Sequence, residues 1–256
     1  MAAPGKGLTS IIFHEINDLD EFEVAIEVLS KNFDFFDPQN LSDFLDGKVE
    51  LKRNNLLVTF DDGFLTSYEA AKRSLVSRNI KSLFFICPSF IGTKGTSAAT
   101  FVKQNLFEGL LNNVDPAQLP MSWEQLKELA DNGNLIGSHT MTHPRLSKIS
   151  GNELRLELES SKIEIQSKIN RPVECFAWPF GDINSINQKS LTEIKKHYKF
   201  CFSGVRGNIP IGASPYILNR EEVSLSEGLN PLILNCYNGL AFTYKKQREL
   251  LSAMVN

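Results

Sequence analysis

Residues 54–87 read NNLLVTFDDGFLTSYEAAKRSLVSRNIKSLFFIC. Two short apolar runs, Asn54–Phe60 and Ser82–Cys87, enclose a segment of helical period. A run that is apolar throughout, and not on alternate residues, is the mark of a strand buried on both faces. Between the runs, Thr66 and Glu69 have the spacing of a capping box. Ala71, Leu75 and Arg78 continue the helix, and Asn79 suits its stop. Strand, helix and strand in this order make a unit whose strands lie parallel through a right-handed crossover.

The alternation continues in both directions. Upstream, Ser10–Phe13 reads as a strand, and Phe22, Ala25, Ile26 and Leu29 fall on one helical face. Downstream, Gly92–Pro120 is irregular, with a short helix around Phe101–Leu111. Ser122 and Gln125 cap a helix that ends at Gly133, and Asn134–Ser138 is a strand. Ser150 and Glu153 have the spacing to cap a long helix bearing Leu154, Leu158, Ile165 and Ile169. Strands at Glu174–Trp178, Lys199–Ser203 and Tyr216–Asn219 follow, with helices over Ser185–Tyr198 and Leu240–Met254. About seven or eight strand–helix alternations require either an open doubly wound sheet or a closed β/α barrel. No Gly-x-Gly-x-x-Gly follows the first strand, so the dinucleotide-binding fingerprint is missing. No linker or repeat divides the 256 residues, which read as one domain.

Composition narrows the function. Lys and Arg number 27 against 30 Asp and Glu, which argues against a general nucleic-acid binder. No apolar run approaches the ~18 residues of a membrane span. The first apolar stretch, Ile11–Phe13, is too short for a signal-peptide core, so the expected location is cytoplasmic. Cys87, Cys175, Cys201 and Cys236 are scattered through apolar segments and read as buried free thiols.

Chemistry-bearing residues recur just after the strands: His14, the pair Asp61 and Asp62, His139 and His143, Trp178–Gly181, and Arg220. In β/α barrels this is the face that holds the active site. Asp-Gly after an apolar strand is ordinary turn chemistry. Two adjacent carboxylates leaving a buried strand, however, need a cation or a proton, which points to a metal ligand or a base. Two imidazoles and a carboxylate form a known set for a divalent metal with open positions. His197 lies at a helix end, where an exposed histidine is unremarkable. If a third imidazole is needed, His14 is the one placed to supply it.

These residues carry a resemblance. Thr59–Gly63 (TFDDG) and His139–His143 (HTMTH) resemble the first two motifs of the polysaccharide deacetylases of NodB-homology type. Phe176–Gly181 (FAWPFG) resembles the third, and the likeness extends over roughly residues 8–225. It implies a distorted (β/α) barrel of about seven parallel strands. It also implies a divalent metal, most commonly zinc, with Co2+, Ni2+, Mn2+ or Fe2+ as alternatives, held by Asp62, His139 and His143. Asp61 would be the general base of a hydrolase that removes N-acetyl groups from a sugar. Two departures stand out. The arginine usual in the third motif is replaced, with Ala177 near its place, and the arginine left on the functional face is Arg220. The usual C-terminal Leu-x-His is missing. Ile11–His14 instead resembles members that supply the catalytic acid near the N-terminus. Trp178, Phe180 and Trp123 are candidates to stack on a sugar ring.

Other readings are hydrolysis of a non-sugar amide on the same fold, a non-catalytic carbohydrate-binding relative, and a non-haem iron oxygenase, whose His-x-Asp/Glu pattern is missing. A cytoplasmic chain would meet a nucleotide- or lipid-linked precursor, with Gly92–Pro120 bordering the pocket.

Overall fold

The computed structural model describes residues 7–51, 54–111 and 119–255. One sheet is built from β1 (Gly7–Phe13), β2 (Asp34–Phe35), β3 (Asn55–Phe60), β4 (Ser82–Ile86), β5 (Leu135–Ser138), β6 (Cys175–Ala177), β7 (Phe200–Phe202), β8 (Ile209–Pro210) and β9 (Glu221–Glu222). Its order is β7-β6-β5-β4-β3-β1-β8, with β2 beside β3 and β9 beside β1. All these pairings are parallel except β1 with β8. The sheet curls until its edges meet. Leu218 bridges to Phe202 on β7, and three residues later Glu221 pairs with Ile11 on β1. The segment from Leu218 to Glu222 therefore stitches the two edges into a distorted barrel.

The pleat sends alternate residues to opposite faces. On β3, Leu56, Val58 and Phe60 join the large cluster that holds the buried faces of the helices. Leu57 joins a second cluster with Leu8, Leu83, Phe85, Cys175, Ala177, Phe202 and Leu218, all contributed by sheet strands or the stitching segment. That second cluster fills the barrel, and Phe36, Leu41 and Phe44 pack against it. Gly137 has to be glycine beside it, because a Cβ there would lie 2.6 Å from the Phe85 ring and 3.0 Å from the Cys175 carbonyl. Continuing the alternation from Leu57 through Thr59 aims Asp61 up the barrel axis. The active-site candidates thus inherit their direction from the strand pleat.

Most helices start and stop where the sequence places them. Ser122 and Gln125 form the expected capping box, and Asn79 takes a left-handed conformation after Arg78. Several local expectations need correction, among them the strand Tyr216–Asn219, where only Leu218 bridges to Phe202 and the strand proper is Glu221–Glu222. Thr66 is not the N-cap: the helix Leu65–Ala70 has Phe64 there, and the Thr66 hydroxyl accepts from the backbone N–H of Ile16. Ser150 is an N-cap without a side-chain bond, so no box forms with Glu153. The expected helix Ser185–Tyr198 begins later, at Gln188, under a box made by Asn187 and Ser190, after a short 3-10 turn. The C-terminal region holds two helices, Leu229–Cys236 and Lys245–Val255, where one was expected. In Gly92–Pro120, residues Gly95–Phe101 are helical and Val102–Leu106 form a wider turn, while 112–118 lie outside the described residues. All four cysteines are free and buried, as expected. Among the described residues no helix is long and apolar enough to cross a membrane.

Candidate active site

The C-terminal ends of β1, β3 and β5 and the loop after β6 surround a cleft of about 550 Å³. His14, Asp61, Asp62, His139, His143, Phe180 and Arg220 all line it. Residues scattered over more than two hundred positions therefore meet at one end of the barrel.

The two neighbouring carboxylates have different surroundings. Asp61 is gripped by Arg220, with Nη1 donating to Oδ1 at 2.7 Å and Nη2 to Oδ2 at 2.8 Å. The guanidinium is buried, only 1 % exposed. Two further donors go to the Thr59 hydroxyl (3.1 Å) and the Ser203 carbonyl (2.9 Å), and it lies over the Phe85 ring. A bidentate pair satisfied in this way fixes the carboxylate plane. Burial works to raise the Asp61 pKa, but Arg220, with help from His139, outweighs it and holds the group below the usual carboxylate range.

Asp62 has no such partner. It turns out of the strand at φ 70°, its Oδ1 is buried, and no hydrogen bond reaches that atom. Facing it are His143 Nε2 at 3.5 Å and His139 Nε2 at 3.7 Å. Both rings are fixed from behind. His139 Nδ1 bonds to the Ala177 carbonyl (2.8 Å) and His143 Nδ1 to the Asn105 carbonyl (3.0 Å). A carbonyl can only accept, so Nδ1 carries the proton and each Nε2 keeps its lone pair. Burial pushes His139 down to about 4 and His143 well below its ordinary value, so both stay neutral. Burial pushes Asp62 up to about 7. An orphaned buried carboxylate oxygen facing two bare lone pairs, all three donors within 4.8 Å, fits a divalent cation and leaves it open on the cleft side.

The site is also where the backbone is strained. Asp62, Thr140, His143 and Phe180 all have positive φ, at about 1–3 kcal/mol each for a residue with a side chain. Thr140 helps hold its turn: its hydroxyl donates to the His139 carbonyl and accepts from the His143 N–H at 2.9 Å.

His14 opens onto the same cleft, half-buried at the end of β1. Burial opposes its charge, but Asp62, Asp61, Glu222 and Glu15 together outweigh that and raise its pKa. Phe180 forms part of the wall, in contact with His143 and with the Arg145 guanidinium 3.9 Å from its ring centre. Trp178 is a correction. It is fully buried in the main core, its indole N–H donates to the Asp182 carbonyl, and it does not line the cleft. Trp123 lies beside Gly92 and Lys168, away from the cleft. From Gly92–Pro120, Leu106 and Phe107 reach the cleft. Sequence reading missed Asn105, whose carbonyl sets the His143 tautomer. A backbone group leaves no trace in side-chain pattern.

Residues 48–198 match the family profile described as polysaccharide deacetylase. The chain belongs to the polysaccharide deacetylase family. The Bacillus subtilis (strain 168) protein YxkH, named for polysaccharide deacetylase activity, is 25% identical over 205 residues, 80% of this chain. The chain spans 64% of that relative's length. Among solved structures, IcaB from Ammonifex degensii superposes with a TM-score of 0.70 at 23% identity, covering 91% of this chain and 98% of that one. The Streptococcus pyogenes deacetylase PplD, in complex with acetate, gives 0.70 at 18% identity, over 91% and 99% of the two chains. These likenesses establish the family's distorted barrel as the fold of this chain. The third-motif position of the family is the clearest local departure. With Ala177 on β6, the guanidinium beside Asp61 comes from Arg220, on the segment that closes the sheet.

Proposed function

We propose that this chain hydrolyses the N-acetyl group of an amino sugar within a carbohydrate, releasing acetate and leaving a free amine. The observation that carries this reading is the split between two adjacent carboxylates. Asp61 is held ionised by Arg220, while Asp62 faces two neutral imidazoles. Neighbouring acids in unlike environments take unlike roles. Asp62, His139 and His143 would hold the cation, for which zinc suits two nitrogens and one oxygen. A divalent cation there polarises a carbonyl and acidifies water from a pKa of ~15.7 toward ~7.

The chain's own residues do the rest. Asp61 takes the proton from the attacking water. As the C–N bond breaks, His14 gives a proton to the leaving nitrogen, which departs as the amine. Arg220 keeps Asp61 oriented and charged. The loss of the third-motif arginine was the observation favouring a non-catalytic relative, and Arg220 removes it. Glu15, Asp18, Glu21 and Glu222 also line the cleft, and its arginine is committed to Asp61. That wall repels phosphates, so it favours a neutral acetylated sugar chain over the nucleotide- or lipid-linked precursor anticipated from sequence.

The test is acetate release from neutral chito-oligomers, nucleotide-linked N-acetyl sugars and peptidoglycan fragments, with Asp61→Asn as the blank. Neutral oligomers should lead. Preference for the nucleotide conjugate would reverse the substrate assignment, and no release from any acetylated sugar would defeat the function.

His14→Ala should keep bound metal while kcat falls by about 10²–10⁴-fold, the usual worth of a general acid. Turnover near wild type would make His14 a structural residue. Arg220→Met should move the acid limb of the pH–rate profile upward. A base works when ionised, so activity rises with pH through the Asp61 pKa. Without Arg220, burial is no longer offset and that pKa climbs. An unmoved limb would mean that another group sets the base.

A further inference from the structure

The loop His139–His143 brings two of the three donors to the cleft in a conformation that its own backbone disfavours. Thr140 and His143 are at φ 68° and 66°. The loop is met from outside by one carboxylate. Glu157, in the second turn of the helix Gly151–Ile169, accepts through Oε2 from the backbone N–H groups of Met141 (2.8 Å) and Thr142 (2.9 Å). Its Oε1 accepts from the Thr142 hydroxyl at 2.6 Å. No cation among the described residues forms an ion pair with this carboxylate. One turn further along the same helix, Ser161 hydrogen-bonds Ser138 (2.7 Å), which in turn accepts from the Thr140 N–H (3.2 Å). The helix therefore holds the loop on both sides of Thr140.

We propose that Glu157 is a positioning residue for the metal-binding loop, setting the affinity for the cation without touching it. This rests on the metal reading above. Charge-assisted bonds to two successive N–H groups are about twice as strong as neutral ones. They fix Met141 and Thr142, the two residues directly before His143. Asn105 holds the other side of the same turn, donating to the Thr142 carbonyl at 2.7 Å and accepting from His143 Nδ1. With Glu157 removed, one side of this clamp is gone. The left-handed residues can then relax, and the two Nε2 atoms no longer converge on Asp62. The signal in the sequence is an acid at the margin of a buried stripe, three residues after Leu154 and four before Ser161.

The test is zinc affinity by chelator competition, together with melting of the metal-free protein, for the wild-type chain, Glu157→Ala, Glu157→Gln and Thr142→Val. Glu153→Gln, an exposed acid on the same helix, is the control. Glu157→Ala should raise the zinc Kd by about 10–100-fold, the usual cost of losing a supporting partner behind the ligands. Glu157→Gln should raise it less, because one acceptor oxygen remains. Combined with Thr142→Val it should be non-additive, since the two side chains share a bond. Metal-free melting should move little, and the control should not change affinity. A Kd within twofold of wild type for both Glu157 variants would overturn the proposal. So would an affinity loss in both variants matched by an equal loss of metal-free stability, which would make Glu157 a general structural residue. Should Glu157→Ala not fold, Glu157→Gln decides. A wild-type chain with no zinc affinity would overturn the metal reading and this proposal with it.

Discussion

Asp61→Asn should lower kcat by about 10²–10⁴-fold while leaving bound metal at its wild-type amount. The substitution keeps shape and removes the carboxylate proposed to take the proton from water beside the three donors. Asp61 has both oxygens on Arg220, and its nearest imidazole nitrogen, His139 Nε2, is 3.9 Å away, which is why the proposal gives it the base's role and not a donor's. The amide also places an N–H₂ group against a guanidinium that can only donate, so the pair loosens. Metal content and kcat measured on one preparation test the division of labour. Loss of metal from Asp61→Asn would mean that the two carboxylates had been assigned the wrong way round.

Removing the cation should have the larger effect. Chelator-stripped protein should fall to background acetate release and recover with zinc or cobalt. Asp62→Ala, His139→Ala and His143→Ala should each lose metal and activity together. His139→Ala carries an extra cost. The Ala177 carbonyl loses its buried donor, for a stability loss of about 1–3 kcal/mol, so its denaturation midpoint should also fall. Full turnover after verified metal removal would rule out the metal mechanism.

The parallel strand–helix alternation was legible because buried strands are apolar throughout and the helices between them keep a 3.6-residue period, whereas the choice of a barrel over an open sheet came from the family resemblance. Asp61, Asp62, His14, His139 and His143 were legible because each follows a strand closely, and the pleat carries such residues to one face. What escaped depends on contacts between distant segments. The hydroxyl of Thr66 was claimed by the Ile16 N–H, about 50 residues away. Trp178 stands in a motif that borders the cleft, yet its ring enters the core, because the turn after β6 lets its indole N–H reach the Asp182 carbonyl. Glu157 lies on a helix whose surface positions look alike in sequence, and only the packing shows which of them meets the histidine loop. Arg220 was found on the functional face, but its grip on Asp61 needs the sheet to close.

That closure orders events in time. The cation donors and Asp61 all precede residue 144, whereas the guanidinium arrives with the last strand. A chain lacking everything after residue 217, whether still being synthesised or clipped by a protease, would carry the donors yet lack the guanidinium that pairs with Asp61. On the proposed function, the group that charges the base is therefore the last part of the site to be added to the chain.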